Sequence, residues 1–101
     1  KSFDMAAYAR KMFGMYGGKE EWVRIECDNS FAGVMIDRFG KDVSMIRLDD
    51  KRFVVNVEVA VSRQFLAWII GLGEGVTIVG PQNVVEMMNA EIDRLIKQYK
   101  K

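Results

Sequence analysis

The apolar residues of this sequence change their spacing several times between positions 21 and 79, and the order of these changes restricts the fold more than any other feature. From Glu21 to Cys27 and from Phe53 to Val59, apolar residues recur at every second position, which is the pattern of a half-buried strand. Shorter apolar runs at residues 43–48 and 76–79 predict two more strands.

The segments between these strands have apolar residues at every third or fourth position, which is the spacing of a helix. Asn29 or Ser30 can cap the first helix, and Gly40 ends it. Ser62 can cap the second helix, which ends in the glycines around Leu72. The resulting order, βαββαβ, is the split βαβ arrangement of a ferredoxin-like domain. We therefore expect an α+β fold with two helices on one face of a four-stranded sheet.

In this topology the first and third strands are central and the second is an edge, where Arg47, Asp49, Asp50 and Lys51 would discourage pairing with another chain. The sheet face turned away from the two helices would carry Trp22, Arg24, Glu26, Val54, Asn56 and Glu58. Such an open face binds bases in RNA-recognition domains, but those domains need aromatic side chains on the central strands, and here only Trp22 is present. We expect another element, such as the final helix or a partner chain, to cover this face.

Two further helices are predicted outside the six-element core. Residues 3–13 are predicted to form a short apolar helix that Ser2 can cap and Gly14 ends. The apolar spacing from about Gln82 to Lys100 predicts a helix of about five turns. Such a helix is longer than a small sheet with two helices can cover. Part of its apolar stripe is therefore expected to be exposed and to meet a partner. The stripe consists of Val84, Val85, Met88, Ile92, Leu95, Ile96 and Tyr99.

The composition excludes most kinds of catalytic and metal-binding site, because the 101 residues include no histidine and a single cysteine, Cys27. The chain therefore has no imidazole base, no internal disulfide and no cysteine-cluster metal site, and Cys27 is expected to be a small buried hydrophobe. The net charge of +1 is much smaller than the positive charge typical of nucleic-acid-binding proteins. No segment reaches the roughly 20 apolar residues of a membrane span, and no signal peptide is visible. We expect a cytoplasmic protein without enzymatic activity, cofactor or metal.

Several short motifs, in their order and spacing, resemble one bacterial family. The phrase Phe13-Gly14-Met15-Tyr16-Gly17-Gly18, followed by a strand and by Asp37-Arg38-Phe39-Gly40, resembles the segment that follows the WYL domain in bacterial transcription regulators. Trp68-Ile69-Ile70-Gly71-Leu72-Gly73, with Val76-Thr77-Ile78-Val79-Gly80-Pro81, resembles that family's later signature, with leucine at position 72 where phenylalanine is usual. The chain is thus similar to the C-terminal extension, WCX, of these regulators. Residues 1–18 would be a linker helix and glycine-rich hinge, and residues 19–101 the WCX domain.

The resemblance implies a regulatory and dimerisation domain that assists a WYL domain in sensing a ligand, which is often single-stranded nucleic acid. DNA would be bound by a winged helix-turn-helix domain elsewhere in the regulator, and the expected partner of this chain is a second copy. The alternative is a stand-alone small-molecule-binding domain of ferredoxin-like fold. That alternative predicts a monomer with a closed pocket between the sheet and the final helix.

Candidate site residues follow from the resemblance and from side-chain chemistry. Arg38, in the helix-end motif, is the first candidate for ligand contact because a guanidinium suits phosphate, while an ion pair with a nearby aspartate or a partner chain is the structural alternative. Arg24 and Arg47 are weaker candidates for the same role. The candidate interface residues share an apolar character and precede or begin the first strand: Phe3, Met5, Tyr8, Met12, Phe13, Met15, Tyr16 and Trp22.

Overall fold

A computed structural model describes residues 19–100 as one four-stranded sheet and three helices. In chain order these are β1 (Lys19–Asp28), a 3-10 turn (Asn29–Phe31), α1 (Ala32–Phe39), β2 (Ser44–Arg47), β3 (Arg52–Val61), α2 (Arg63–Leu72), β4 (Val76–Gly80) and α3 (Gln82–Tyr99). The predicted α+β class and the βαββαβ order are confirmed. The helix and hinge predicted for residues 1–18 lie outside the described residues.

The sheet has the strand order β2-β3-β1-β4, and each neighbouring pair is antiparallel. β1 and β3 are central, as predicted, and pair along their full length, from Lys19 opposite Val61 to Asp28 opposite Arg52. Since successive side chains of a strand alternate between the two faces, this register sorts both strands into one apolar face and one polar face.

The core lies between the apolar sheet face and the helices. Val23 and Ile25 of β1 and Val55 of β3 are completely buried there. Burying one such side chain contributes about 1.5–3 kcal/mol, so this layer is the main source of stability. The helices add the buried side chains Met35, Phe39, Phe65, Leu66, Ile69 and Val84. Cys27 is 1% exposed within the same cluster, which confirms its prediction as a small buried hydrophobe.

The two core helices begin differently. The hydroxyl of Ser62 accepts a hydrogen bond from the backbone N–H of Phe65 at 3.3 Å, which confirms it as the N-cap of α2. The prediction that Asn29 or Ser30 caps α1 is wrong, because both residues lie in the 3-10 turn and no side chain caps the helix. The Asn29 amide instead donates to the backbone carbonyl of Asp50 at 3.0 Å, so it joins this turn to the β2–β3 loop.

The final helix, α3, lies beside α2 on the helix-covered side of the sheet. The Asn83 amide donates to both carboxylate oxygens of Glu21, at 2.8 and 2.9 Å, and the register places Glu21 opposite Val59 on the apolar face. Val84 is completely buried in the core. Of the two elements proposed to cover the polar face, the final helix is therefore the wrong one, because these contacts at its first turn hold α3 on the opposite side. Cover by a partner chain stays a prediction.

An ion cluster fixes the middle of α3 to the start of α2. A carboxylate oxygen of Glu91 lies 3.0 Å from Nε of Arg63 and 2.6 Å from Nη2 of Arg94. The hydrogen bond from Arg94 first, and the nearby charge of Arg63, lower the pKa of Glu91 below its usual value. This cluster holds the middle of α3 against α2, after the first turns of α3 whose apolar side chains pack on the core.

The second half of α3 leaves the core. Ile92, Ile96 and Tyr99 are 42, 51 and 75% exposed, whereas Val84 in the first turn is completely buried. The predicted partial exposure of the apolar stripe is confirmed, and the partner that would cover it stays a prediction. Within residues 19–100, no helix combines the length and apolar character needed to cross a bilayer.

Truncating the core methionine of α1 should destabilise the domain far more than truncating an exposed methionine of α3. Met35 is completely buried and Met87 is 39% exposed, and both lie in helices, so the change in helix propensity is the same. We expect Met35→Ala to lower the free energy of unfolding by about 2–5 kcal/mol. Met87→Ala should lower it by less than about 1 kcal/mol. Urea denaturation measures both, and equal losses would contradict this placement of the core.

The Glu91 cluster should make stability depend on acid pH. Because the folded-state pKa of Glu91 is lowered, its contribution is complete above its unfolded-state value of about 4.3 and is lost as pH falls through the folded-state value. Glu91→Gln should therefore lower stability at neutral pH and flatten its decline below about pH 5. Urea denaturation at several pH values tests this, with Glu74→Gln, at an exposed position, as the control. Identical acid profiles for the wild type and Glu91→Gln would rule the contribution out.

Candidate functional site

The polar face of the sheet is a surface that no helix of residues 19–100 covers. Its side chains come from alternate positions of the central strands, where Trp22 lies opposite Glu58, Arg24 opposite Asn56 and Glu26 opposite Val54. β4 adds Thr77 and Val79, both exposed. Trp22 is 63% exposed and Val79 is 40% exposed, so the face presents apolar as well as charged groups to solvent.

Arg24 lies across the backbone of the edge strand β4. It is paired with Gly80 in the sheet register, and a Cβ atom on Gly80 would overlap Nη2 and Cζ of the Arg24 guanidinium. Glycine at position 80 therefore leaves the space that the guanidinium occupies. Within residues 19–100 no carboxylate lies within ion-pair distance of Arg24, so its charge is available at the surface.

At the other end of the same face, the charges neutralise one another. Arg52 contacts Glu26 at 2.6 Å and Asp49 at 2.9 Å. The Asp49 carboxylate also accepts hydrogen bonds from the backbone N–H groups of Lys51 and Arg52, and these bonds, with the Arg52 side chain, lower its pKa. This cluster therefore organises the β2–β3 loop, whereas no carboxylate of residues 19–100 forms an ion pair with Arg24 on the same face.

Arg38, the first ligand candidate, lies in the helix layer. Its guanidinium carbon is 5.0 Å from the centroid of the Trp68 ring, which is the geometry of a cation–π contact. Trp68 in turn meets Phe39 edge-to-face at 5.7 Å. Arg38 thus contributes to the packing of α1 on α2, and its predicted contact with a ligand stays a prediction.

Arg47, the third candidate, lies at the end of the edge strand β2. Its Nη2 atom is 2.5 Å from Oδ1 of Asp50, and both side chains are exposed. The pair suits an edge that avoids further pairing, as the sequence predicted. Because Arg47 is opposite Phe53, it belongs to the other face of the sheet from Arg24. The structure therefore does not bring the three predicted arginines together into one site.

Of the predicted interface residues, Trp22 is on the polar face and largely exposed. The other seven, from Phe3 to Tyr16, lie outside the described residues. Sequence reasoning missed two contacts of the arginines, with Gly80 beneath Arg24 and with Glu91 between Arg63 and Arg94. No local pattern marks either one, since Gly80 before a proline is typical of any turn and Glu91 of any helix surface.

Cys27, the one thiol in the sequence, is not a nucleophile in this fold. Burial first, and then the charges of Asp28 and Glu26, raise the pKa of Cys27 to about 11. The thiol is therefore protonated at neutral pH, and the thiolate is the reactive form. Across residues 19–100, no group of three or more His, Cys, Asp or Glu side chains is arranged to hold a metal ion.

The contact between Arg24 and Gly80 can be tested by a double-mutant cycle. Gly80→Ala places a methyl group in the space of the guanidinium, but the end of a flexible side chain can move, so the cost in the free energy of unfolding should stay below about 1 kcal/mol. In an Arg24→Ala background the cost should vanish, and the loss of chain freedom in the unfolded state should stabilise by roughly 0.4–1 kcal/mol. Equal effects in both backgrounds, by urea denaturation, would contradict the contact.

Comparison with known proteins identifies one family. No curated protein sequence matches the chain at a significant level. A family model, that of the WCX domain, matches residues 19–96, from the start of β1 into the last turns of α3. This match covers more than half of the chain and includes all four strands and most of the three helices. The chain therefore belongs to the WCX domain family.

Proposed function

We propose that this chain is a regulatory and dimerisation module of a bacterial transcription regulator and has no catalytic activity of its own. The observation that carries the proposal is the WCX match over residues 19–96. The module would act in the cytoplasm beside a WYL domain of the same regulator and would assist that domain in sensing a ligand such as single-stranded nucleic acid. A winged helix-turn-helix domain of the regulator would bind DNA.

The surface of the described residues supports a role in association. Ile92, Ile96 and Tyr99 on α3 and Trp22 on β1 are exposed apolar side chains on two different surfaces. Exposed apolar groups of this kind are typical of surfaces that meet other protein. We propose that Trp22, together with the apolar residues from Phe3 to Tyr16, belongs to a contact with another part of the regulator.

The same proposal assigns the arginines to ligand response. Arg24 is the best placed of the three, because its guanidinium is exposed on the polar face and has no ion-pair partner among residues 19–100. A guanidinium with free donors suits phosphate or carboxylate groups. Arg38 would act through its contact with Trp68, and Arg47 has the weakest claim because Asp50 already engages it.

Light scattering on the 101-residue chain tests the proposal most directly. We expect a molecular mass of twice 11.6 kDa that falls toward the monomer on dilution. In the regulator that carries this domain, deletion of residues 19–100 should abolish the response of a reporter gene to the inducing ligand.

Two results would overturn the proposal. The first is a monomer at every concentration, which would favour the stand-alone small-molecule-binding domain. The second is a reporter response that persists at full strength after the deletion.

A further inference from the structure

The exposed half of α3 carries a continuous apolar strip. Ile92, Ile96 and Tyr99 are spaced by four and three residues, so they lie on one side of the helix. Val85 and Met88, which are partly buried against the core, lie on the same side nearer the helix start, and all five positions fall within an arc of about 80° at 3.6 residues per turn. We call Ile92, Ile96 and Tyr99 the α3 strip.

The α3 strip lies next to the surface that packs on the domain. Glu91, which faces Arg63 of α2, and Val84, which is in the core, mark the packed side of the helix. The strip is rotated away from that side, and its three side chains are exposed over roughly half or more of their area. A second helix can therefore lie along the strip without displacing α2.

The charges on the far side of the strip are segregated along the helix. Four exposed residues at helical spacing line this side, acidic in the first part and basic in the second. We call them the α3 flank: Glu86, Asp93, Lys97 and Lys100.

This order of charges is self-complementary only for two helices that run in opposite directions. When two copies of one helix pack antiparallel along a seam, the same flank of each copy meets the other in reverse order. The acidic part of one flank then faces the basic part of the other. In a parallel pair, each flank would instead lie beside the opposite flank of the partner helix, so the two charged flanks would not meet.

One register satisfies both the apolar and the charged residues. If Ile92 lies opposite Ile96 of the partner subunit, Asp93 is displaced by two residues, or about 3 Å along the axis, from the partner's Lys97. Glu86 is displaced by the same amount from the partner's Lys100. Both distances are within reach of these long side chains.

We propose that two copies of this chain associate through antiparallel pairing of α3, with the α3 strip at the centre and the α3 flanks in opposite-charge contact. This inference rests on the proposed dimerising function and names the surface that performs it. The occupant is a second copy because the helix itself carries both halves of the charge pattern.

Two variants with oppositely charged α3 flanks test the antiparallel pairing. The first variant, Lys97→Glu with Lys100→Glu, has an entirely acidic flank, and the second, Glu86→Lys with Asp93→Lys, has an entirely basic one. Each alone should dimerise at least about ten-fold more weakly than the wild type, because like charges then face each other. An equimolar mixture should form a heterodimer within about three-fold of the wild-type affinity. Sedimentation equilibrium at about 0.15 M salt measures all of these affinities.

A matched control changes the same amount of charge elsewhere. Lys41→Glu with Lys51→Glu reverses two exposed lysines that lie in loops away from α3, and it should leave the dimer affinity unchanged. Circular dichroism establishes that each variant retains its helices before its association is measured.

Cross-linking provides a second readout that does not depend on the charge variants. A mixture of Ile92→Cys and Ile96→Cys chains should form disulfide-linked dimers faster under mild oxidation than either chain alone, because the register places these two positions opposite each other. The native Cys27 does not compete, since it is 1% exposed.

The outcomes separate this inference from the proposed function. A wild-type dimer that neither flank variant weakens, or weakened variants that mixing does not restore, would overturn α3 pairing and leave dimerisation through another surface. Cross-linking that is equal for the mixture and the single chains would also overturn it. A wild-type chain that stays monomeric at every concentration would overturn the dimerising function itself.

Discussion

The full-length pairing of β1 with β3 is the constraint on which the rest of this structure depends. Ten consecutive residue pairs, from Lys19 opposite Val61 to Asp28 opposite Arg52, hold the two central strands in one register. A slip of β1 by one residue along β3 would turn Val23 and Ile25 to solvent and bury Arg24 and Glu26. The burial of this apolar set therefore sets the register, and the register determines the composition of both sheet faces.

The position of α3 follows from this register and decides which surfaces remain free. Because Glu21 is held on the helix-covered side, its hydrogen bonds from Asn83 draw the start of α3 to that side. The Glu91 cluster then directs the helix past the domain. Within residues 19–100, no element covers the polar sheet face or the second half of α3 as a result. These are the two surfaces to which we assign ligand response and association.

The distribution of charge has more bearing on function than its sum. The net charge of +1 conceals several local arrangements, since Arg47, Arg52, Arg63 and Arg94 are each engaged by a carboxylate. The guanidinium of Arg24 lies against the backbone at Gly80, where the missing side chain leaves space for it. Its N–H donors are not engaged by a carboxylate of residues 19–100. On α3 the acidic residues Glu86 and Asp93 precede the basic residues Lys97 and Lys100, so two antiparallel copies of the helix would bring unlike charges together. The amino-acid composition shows none of these differences, because it counts the charged residues without saying where they lie in the structure.

The sequence by itself determined the elements, their order and the inward faces, because alternation and helical spacing are local patterns that every residue of an element repeats. It also identified Ser62 as a cap and Cys27 as a core residue. Tertiary structure alone decided that Asn29 bonds to the β2–β3 loop instead of capping α1 and that α3 lies beside α2. It also decided that Arg24 lies on the other face of the sheet from Arg38 and Arg47. Each of these depends on contacts between residues distant in the chain, and the spacing of neighbouring residues carries no record of such contacts.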